Sequence, residues 1–297
     1  MPKFGVSSYS ISRHLVSGKI TPEQSVEWLC EQGAEVIEIV PFGIDLLSDK
    51  DLAGRMKAVA DKYGVAIDNY SLGANFLEKT DAELAEEIER VKTHIDAAKA
   101  LGVSTVRSDC AGYGRPVEQN TIETFLEELP VMVKAYKVLA EYAASLGIKL
   151  MIENHGFHAN GSERVRLILK NVGLDNFGHQ LDVGNYICMD EKPEVVVNKM
   201  LPFATTVHMK DFYVRQTDPG HAEGFDGYPR PWFRSPGGQY LRGSIFGQGD
   251  LDTKSLIKSV KSYGFDGNIF IEYEGIEDCY YGTKVSLDNL KRIYSEV

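Results

Sequence analysis

The stretch GIKLMIEN, residues 147–154, decides the fold. Gly147 suits the left-handed residue that closes a helix. The run after it is short and apolar, as a strand covered on both faces requires, and it ends on Glu153. Three further runs end the same way: HQLD at Asp182, TTVH at His208 and IFIE at Glu272. These residues are far apart in sequence, yet each closes an expected strand. In a closed parallel barrel the carboxyl ends of the strands meet at one mouth. Three carboxylates and an imidazole there make a site for a hard divalent cation.

The same unit recurs outward from this stretch. Gly33 precedes EVIEIV, Gly64 precedes VAID, Gly102 precedes VSTVR and Gly264 precedes FDGNIFIE. Helix and strand alternating through short links indicate βαβ units. Helix starts agree: Thr21-Pro22-Glu23-Gln24 is a capping box with Pro in the first turn, and Thr80 with Glu83 is another. Leu84, Ile88, Val91, Ile95, Ala98 and Leu101 form a helical stripe. Pro130 is expected to kink or divide the helical region over 121–146. Strands are expected near 4–8, 35–40, 65–70, 103–107, 148–153, 177–182, 203–208 and 268–273, with a sixth helix over 192–200 and a last one near 284–295. Eight such units predict an α/β fold, a (β/α)8 TIM barrel in a single domain over 1–297.

The segment over about 212–250 breaks the rhythm with four Pro, eight Gly and the aromatics Phe225, Tyr228, Trp232, Phe233, Tyr240 and Phe246. It reads as a long loop insertion after the seventh strand, where barrel loops face the catalytic end. A lid or substrate wall is expected, with an oligomer contact as the alternative.

A chain of 297 residues with 43% hydrophobic content can fill such a barrel. Its net charge of −11 argues against nucleic acid or an anionic membrane as partner. Cys30, Cys110, Cys188 and Cys279 are widely spaced without a CxxC pair, which suits reduced thiols. The amino-terminal MPKFGVSSYS lacks a signal-peptide core, and no apolar run is long enough to span a bilayer. A cytoplasmic protein is expected.

Side-chain parity along strands refines the site. With His208 pointing inward, Thr206 shares its face and Lys210 follows. Glu272 shares a face with Phe270, and Glu274 comes next, so both glutamates qualify as fourth ligand. Glu272 is preferred because it closes its apolar run. The oxygen-rich set suits Mn²⁺, Mg²⁺ or Co²⁺, and the imidazole admits Zn²⁺. His155 and His158 follow the first ligand and suit acid–base work. Lys210 suits an oxyanion or a substrate hydroxyl. Glu38, Asn69, Arg107 and Asp109, at or near the ends of strands 2, 3 and 4, are candidates to touch substrate, with a structural role as the alternative, and Tyr9 and Trp232 are candidates to stack on it, with packing as the stronger alternative.

The runs MIENHG (151–156), QLDVGN (180–185), VHMKD (207–211), GQGDLD (247–252) and GFDGNIFIEYEG (264–275) resemble the xylose isomerase-like TIM-barrel family over essentially the whole chain. That family includes sugar isomerases and epimerases, and also endonuclease IV. The resemblance implies a small carbohydrate or polyol substrate and a divalent metal, Mn²⁺ first, on Glu153, Asp182, His208 and Glu272. In the ketose 3-epimerase branch the carboxylates matching Glu153 and Glu272 also move protons. The chain departs from that branch at two positions. Asn185 stands where the epimerases place His, and Val214, followed by Arg215, stands where they place Arg. Asn185 is still able to hydrogen-bond a substrate hydroxyl. The resemblance therefore extends to isomerases, inosose-type dehydratases and other lyases. Among the latter are α-subunits of C-glycoside deglycosidases, so a small partner subunit or a homo-oligomer is compatible with the pattern.

Overall fold

The computed structural model describes every residue except Tyr113, Ala222 and 225–231. Seven strands come first: β1 (Phe4–Ser7), β2 (Val36–Ile39), β3 (Ala66–Leu72), β4 (Thr105–Ser108), β5 (Lys149–Glu153), β6 (Phe177–Asp182) and β7 (Ala204–Met209). Then come β8 (Asp211–Arg215), β9 (Phe233–Arg234) and β10 (Tyr240–Ser244), followed by β11 (Ile269–Ile271). Strands β1 to β7 and β11 close a parallel barrel in the order β1-β11-β7-β6-β5-β4-β3-β2. This is the expected TIM barrel, and its strand ends differ from the expected ones by at most two residues.

The helices are α1 (Ser12–Val16), α2 (Pro22–Glu31), α3 (Leu52–Lys62), α4 (Asp81–Leu101), α5 (Ile122–Ser145), α6 (Ser162–Val172), α7 (Pro193–Met200), α8 (Thr253–Tyr263) and α9 (Cys279–Glu296). Both capping boxes form, at Thr21 with Gln24 and at Thr80 with Glu83. The stripe from Leu84 to Leu101 is buried as a face of α4. Pro130 does not divide α5. Its ring removes the hydrogen bond to the carbonyl of Leu126, an exposed residue whose carbonyl water can serve. Buried Met132, Ala135, Tyr136, Leu139 and Ala143 hold the rest of the helix to the barrel. Helix α9 starts earlier than expected because the Asp278 side chain accepts the Tyr281 N–H at 3.0 Å and caps it. No helix among the described residues is long and apolar enough to cross a membrane. All four cysteines are buried as thiols rather than joined in disulfides.

Two register shifts aim the site. Between β6 and β7, His179 pairs with Ala204 but Gln180 pairs with Thr206, so Asp182 comes to lie opposite His208. Without that shift Asp182 would face Val207, and His208 would point out of the barrel. A second shift, between β2 and β3, sets Glu38 opposite Asn69.

The insertion is not the loop that its composition suggests. Strands β8, β10 and β9 form an antiparallel sheet at the carboxyl-terminal end of the barrel strands, with Val214 opposite Leu241 and Leu241 opposite Phe233. Phe225 and Tyr228 lie outside the described residues. The two ends of the sheet are pinned by carboxylates. Asp190 accepts Ser235 Oγ at 2.5 Å, Gln239 Nε2 at 2.9 Å and the Gly237 N–H at 2.6 Å. Asp211 accepts the N–H groups of Phe212, Gly247, Gly249 and Leu251 at 2.8–3.3 Å. A Cβ on Gly249 would sit 2.2 Å from Asp211 Oδ1, so only glycine lets the backbone come this close.

Asp211→Ala strips an acceptor from these four N–H groups. It should lower stability by about 3 kcal/mol and weaken hydrogen-exchange protection in β8 and β10 before the barrel strands, as read by denaturant titration and exchange mass spectrometry.

Candidate metal centre

Glu153 ends β5, Asp182 ends β6, His208 lies near the end of β7, and Glu272 follows β11. One ligand atom from each lies within 4.8 Å of the others. His208 Nδ1 is 3.7 Å from Glu153 Oε1 and 3.7 Å from Glu272 Oε1. The set is buried, with Glu272 the most exposed member.

The other ring nitrogen of His208 is engaged. Nε2 lies 2.9 Å from Glu38 Oε2, so in the neutral ring Nε2 carries the proton and Nδ1 offers its lone pair. Asp182 Oδ1 accepts the N–H groups of Gly184 and Asn185 at 2.7 and 2.9 Å. This leaves His208 Nδ1 and Asp182 Oδ2 buried without a hydrogen-bond partner among the described residues. Such orphans are costly unless something else satisfies them. The donor set fits a divalent cation on these grounds.

Electrostatics point the same way. Burial, helped by neighbouring Glu153 and Glu272, pushes the Asp182 carboxyl up to about 7. Burial also disfavours charge on His208, but Glu38, Glu272 and Glu153 outweigh it and push the imidazole up to about 10. Lys210 donates to Glu272 Oε2 at 2.8 Å and pairs with Glu274 Oε2 at 2.9 Å. Burial would raise the Glu272 carboxyl, yet Lys210 and His208 hold it below the usual carboxylate range. Glu153 is paired with Arg107.

A cavity of about 320 Å³ opens onto this cluster, lined by Glu153, Glu272, Lys210, Arg107, Asp109 and His155, with Tyr9, Phe42, Ser71 and Glu274 at its sides. His155 Nδ1 sits 2.7 Å from Arg107 Nη2 and 3.1 Å from Asp109 Oδ1. Its burial opposes protonation, and Asp109 overcomes this and raises its pKa.

Other expected contacts lie elsewhere. Glu38 and Asn69 do not line the cavity. They sit below it in a buried network in which Asn69 Nδ2 donates to Glu38 Oε2 at 2.5 Å and to Gln180 Oε1 at 2.6 Å. The register shift at Glu38 turned them inward, under His208. Asn185 is also absent from the cavity wall; its Nδ2 reaches Glu153 Oε1 at 3.4 Å. His158 is drawn off by Glu128, 2.8 Å away, beside Arg115. Trp232 stacks with Arg242, 4.6 Å from its ring centre, and lines no part of the cavity. No described residue of 212–250 lines it either. The insertion instead backs the site: a Cβ on Gly243 would lie 2.4 Å from the Glu274 carbonyl oxygen.

Sequence reading missed Asn154, Gln180 and Ser71. Asn154 clamps the backbone of Asp182 through two hydrogen bonds of 2.8 and 2.9 Å. Its place directly after Glu153 was the available signal. Gln180 donates to Glu153 Oε2 at 3.3 Å, and strand parity with Asp182 would have found it.

Comparison with known proteins follows the geometry. The chain is 22% identical over 300 residues to an uncharacterized protein of Methanocaldococcus jannaschii, covering 99% of this chain and 92% of the relative. The fold is shared with the probable 3-DHS dehydratase AsbF of Bacillus anthracis (TM-score 0.74, 15% identity, 98% of this chain and 99% of that one). It is shared equally with a D-psicose 3-epimerase (TM-score 0.70, 15% identity, 98% and 99%) and a D-tagatose 3-epimerase-like protein (TM-score 0.67, 22% identity, 99% and 98%). The model of one family, the xylose isomerase-like TIM barrel, matches residues 26–293. With its closed barrel and its acidic cluster at the strand ends, the chain belongs to the xylose isomerase-like TIM-barrel family.

Proposed function

We propose that this protein is a divalent-metal-dependent isomerase or epimerase of a small sugar or polyol, working in the cytoplasm. The observation that carries the reading is the convergence of Glu153, Asp182, His208 and Glu272 around two orphaned buried ligand atoms. These four residues would hold the metal, with Mn²⁺ as first choice and Mg²⁺, Co²⁺ or Zn²⁺ as alternatives. When bound, the ion supplies Lewis-acid stabilisation of negative charge on neighbouring carbonyl and hydroxyl oxygens.

The chain's own residues do the rest. Glu153 and Glu272 both present carboxylates to the cavity, so one takes the proton next to the carbonyl and the other returns it. Lys210 keeps Glu272 ionised, the form able to accept a proton, and offers its ammonium to a substrate oxygen. Arg107 matches the charge of Glu153 and orients it. A cavity near the small end of the range for ligand pockets suits one small polyhydroxylated molecule.

A second reading, a dehydratase or lyase acting on a keto-polyol, has its own support. Val214 is tied into the β8–β10 ladder and Arg215 pairs with Asp250 at 2.6 Å, so the cation of the epimerase pattern is absent from the cavity wall. The His155–Asp109 pair instead provides an acid able to protonate a departing hydroxyl.

The deciding experiment incubates the Mn²⁺-supplied protein with a panel of ketoses and keto-polyols in D₂O. Deuterium entering a sugar of otherwise unchanged mass supports the isomerase, and loss of water from the product supports the lyase. Glu153→Gln and Glu272→Gln should each cut the rate roughly 100- to 10,000-fold. No exchange with any substrate across the panel would sink both readings.

Glu38→Gln removes the charge behind His208. It should weaken Mn²⁺ binding about 10- to 100-fold in calorimetry while leaving circular dichroism unchanged.

Metal binding should also depend on pH. Below about 7 the Asp182 carboxyl holds a proton, and below about 10 so does the second nitrogen of His208. The metal must displace these protons, so affinity should rise from pH 6 to 8 with net proton release. Calorimetry in buffers of different ionisation enthalpy counts the protons.

A further inference from the structure

A second cavity, of about 600 Å³, adjoins the catalytic one, and Tyr9, Phe42 and Glu274 line both. Their shared rim includes a hydrogen bond: the Tyr9 hydroxyl donates to Glu274 Oε1 at 2.8 Å. Lys210 holds the other oxygen of the same carboxylate at 2.9 Å. The charge of Glu274 is thus matched within that rim.

Beyond it the lining changes character. Val16 and Phe42 expose apolar surface there, and the Tyr273 ring is buried in the wall. Arg13 and Lys19 bring two cations. Arg13 Nη2 donates to the backbone carbonyls of Gly275 and Glu277 at 3.4 and 2.6 Å, which fixes its guanidinium in the wall. Lys19 Nζ lies 3.4 Å from His14 Nε2 and forms no carboxylate pair among the described residues. Two acids stand nearby: Asp278 is 3.8 Å from His14 Nε2 and caps α9, and Glu277 Oε2 accepts the Tyr273 hydroxyl at 2.6 Å. In a chain of net charge −11, Lys19 thus brings to an apolar cavity a cation with no carboxylate pair among the described residues, which equips the cavity for an anionic group.

We propose that the outer cavity is a distal subsite. The polyol end of the substrate occupies the inner cavity, an apolar segment passes Tyr9 and Phe42, and an anion, phosphate or carboxylate, ends beside Lys19 and Arg13. Only the placement of the polyol end rests on the function proposed above.

Calorimetry on the full-length, Mn²⁺-supplied protein with phenyl phosphate, benzoate and benzyl alcohol tests this. At least one charged probe should bind about tenfold more tightly than benzyl alcohol, and the stronger of the two identifies the anion. Lys19→Glu should remove roughly that tenfold advantage, whereas Lys170→Glu, on the distant α6, should not change it. Binding should also survive chelation of the metal, which separates this subsite from the metal centre. Equal affinity for charged and neutral probes, an advantage untouched by Lys19→Glu, loss of binding on chelation, or no binding of any probe would each overturn the subsite. Failure of the isomerase or lyase assay leaves these binding results standing and refutes only the function.

Discussion

Repulsion among buried carboxylates governs the mouth of this barrel. Two unit charges about 4 Å apart interact by about 4 kcal/mol at an effective dielectric of 20. Glu153, Asp182 and Glu272 bring three such groups within 4.8 Å, with Glu38 just below. Arg107 answers Glu153, Lys210 answers Glu272, and His208 stands between them. Asp182 receives two backbone N–H groups on one oxygen and no partner among the described residues on the other, and its carboxyl is the one driven up toward neutrality. The donor set of this arrangement fits a divalent cation.

The support below the cluster is polar where barrel interiors are commonly filled by branched apolar side chains. Glu38, Asn69, Ser71, Thr105, Gln180 and Thr206 hydrogen-bond one another across β2, β3, β4, β6 and β7. Buried networks of this kind are costly unless satisfied, and once satisfied they lock side chains into one arrangement. Here the network fixes the tautomer of His208 through Glu38 and positions Glu153 through Gln180. The inner cavity is built on this rigid floor. In its side wall, Tyr9, Phe42 and Glu274 are shared with the neighbouring cavity, and the Tyr9–Glu274 hydrogen bond ties two of them together. The insertion reinforces that wall from outside through the close approach of Gly243, and Asp190 and Asp211 hold the insertion in place.

Much of this was legible in the order of the residues. A glycine closing a helix, a short apolar run and a terminal carboxylate or imidazole are local events, each governed by backbone conformation and burial. Repeated along the chain, they dictate a parallel barrel, and a closed barrel brings its strand ends together whatever their separation in sequence. Topology thus brings the ends of β5, β6, β7 and β11 to one mouth, and pairing register then turns Asp182 and His208 toward each other. Pro130 does not divide α5, because the helix is held by packing that a local rule does not contain.

Side-chain partners across the barrel needed the tertiary structure. Glu38, Asn69 and Asn185 carry the right chemistry for a substrate and stand near strand ends, yet hydrogen bonds to His208, Gln180 and Glu153 claim them. Trp232 had the right ring, and Arg242 holds it away from the cavity. The shift that sets Asp182 against His208 is one residue on β7, invisible in either strand by itself. Sequence alone determined which groups reach the mouth, because strand polarity and periodicity are properties of the chain. Which of them face the ligand, and which hold others in place, was decided only by the tertiary structure, because pairing register and buried hydrogen bonds exist between segments and not within them.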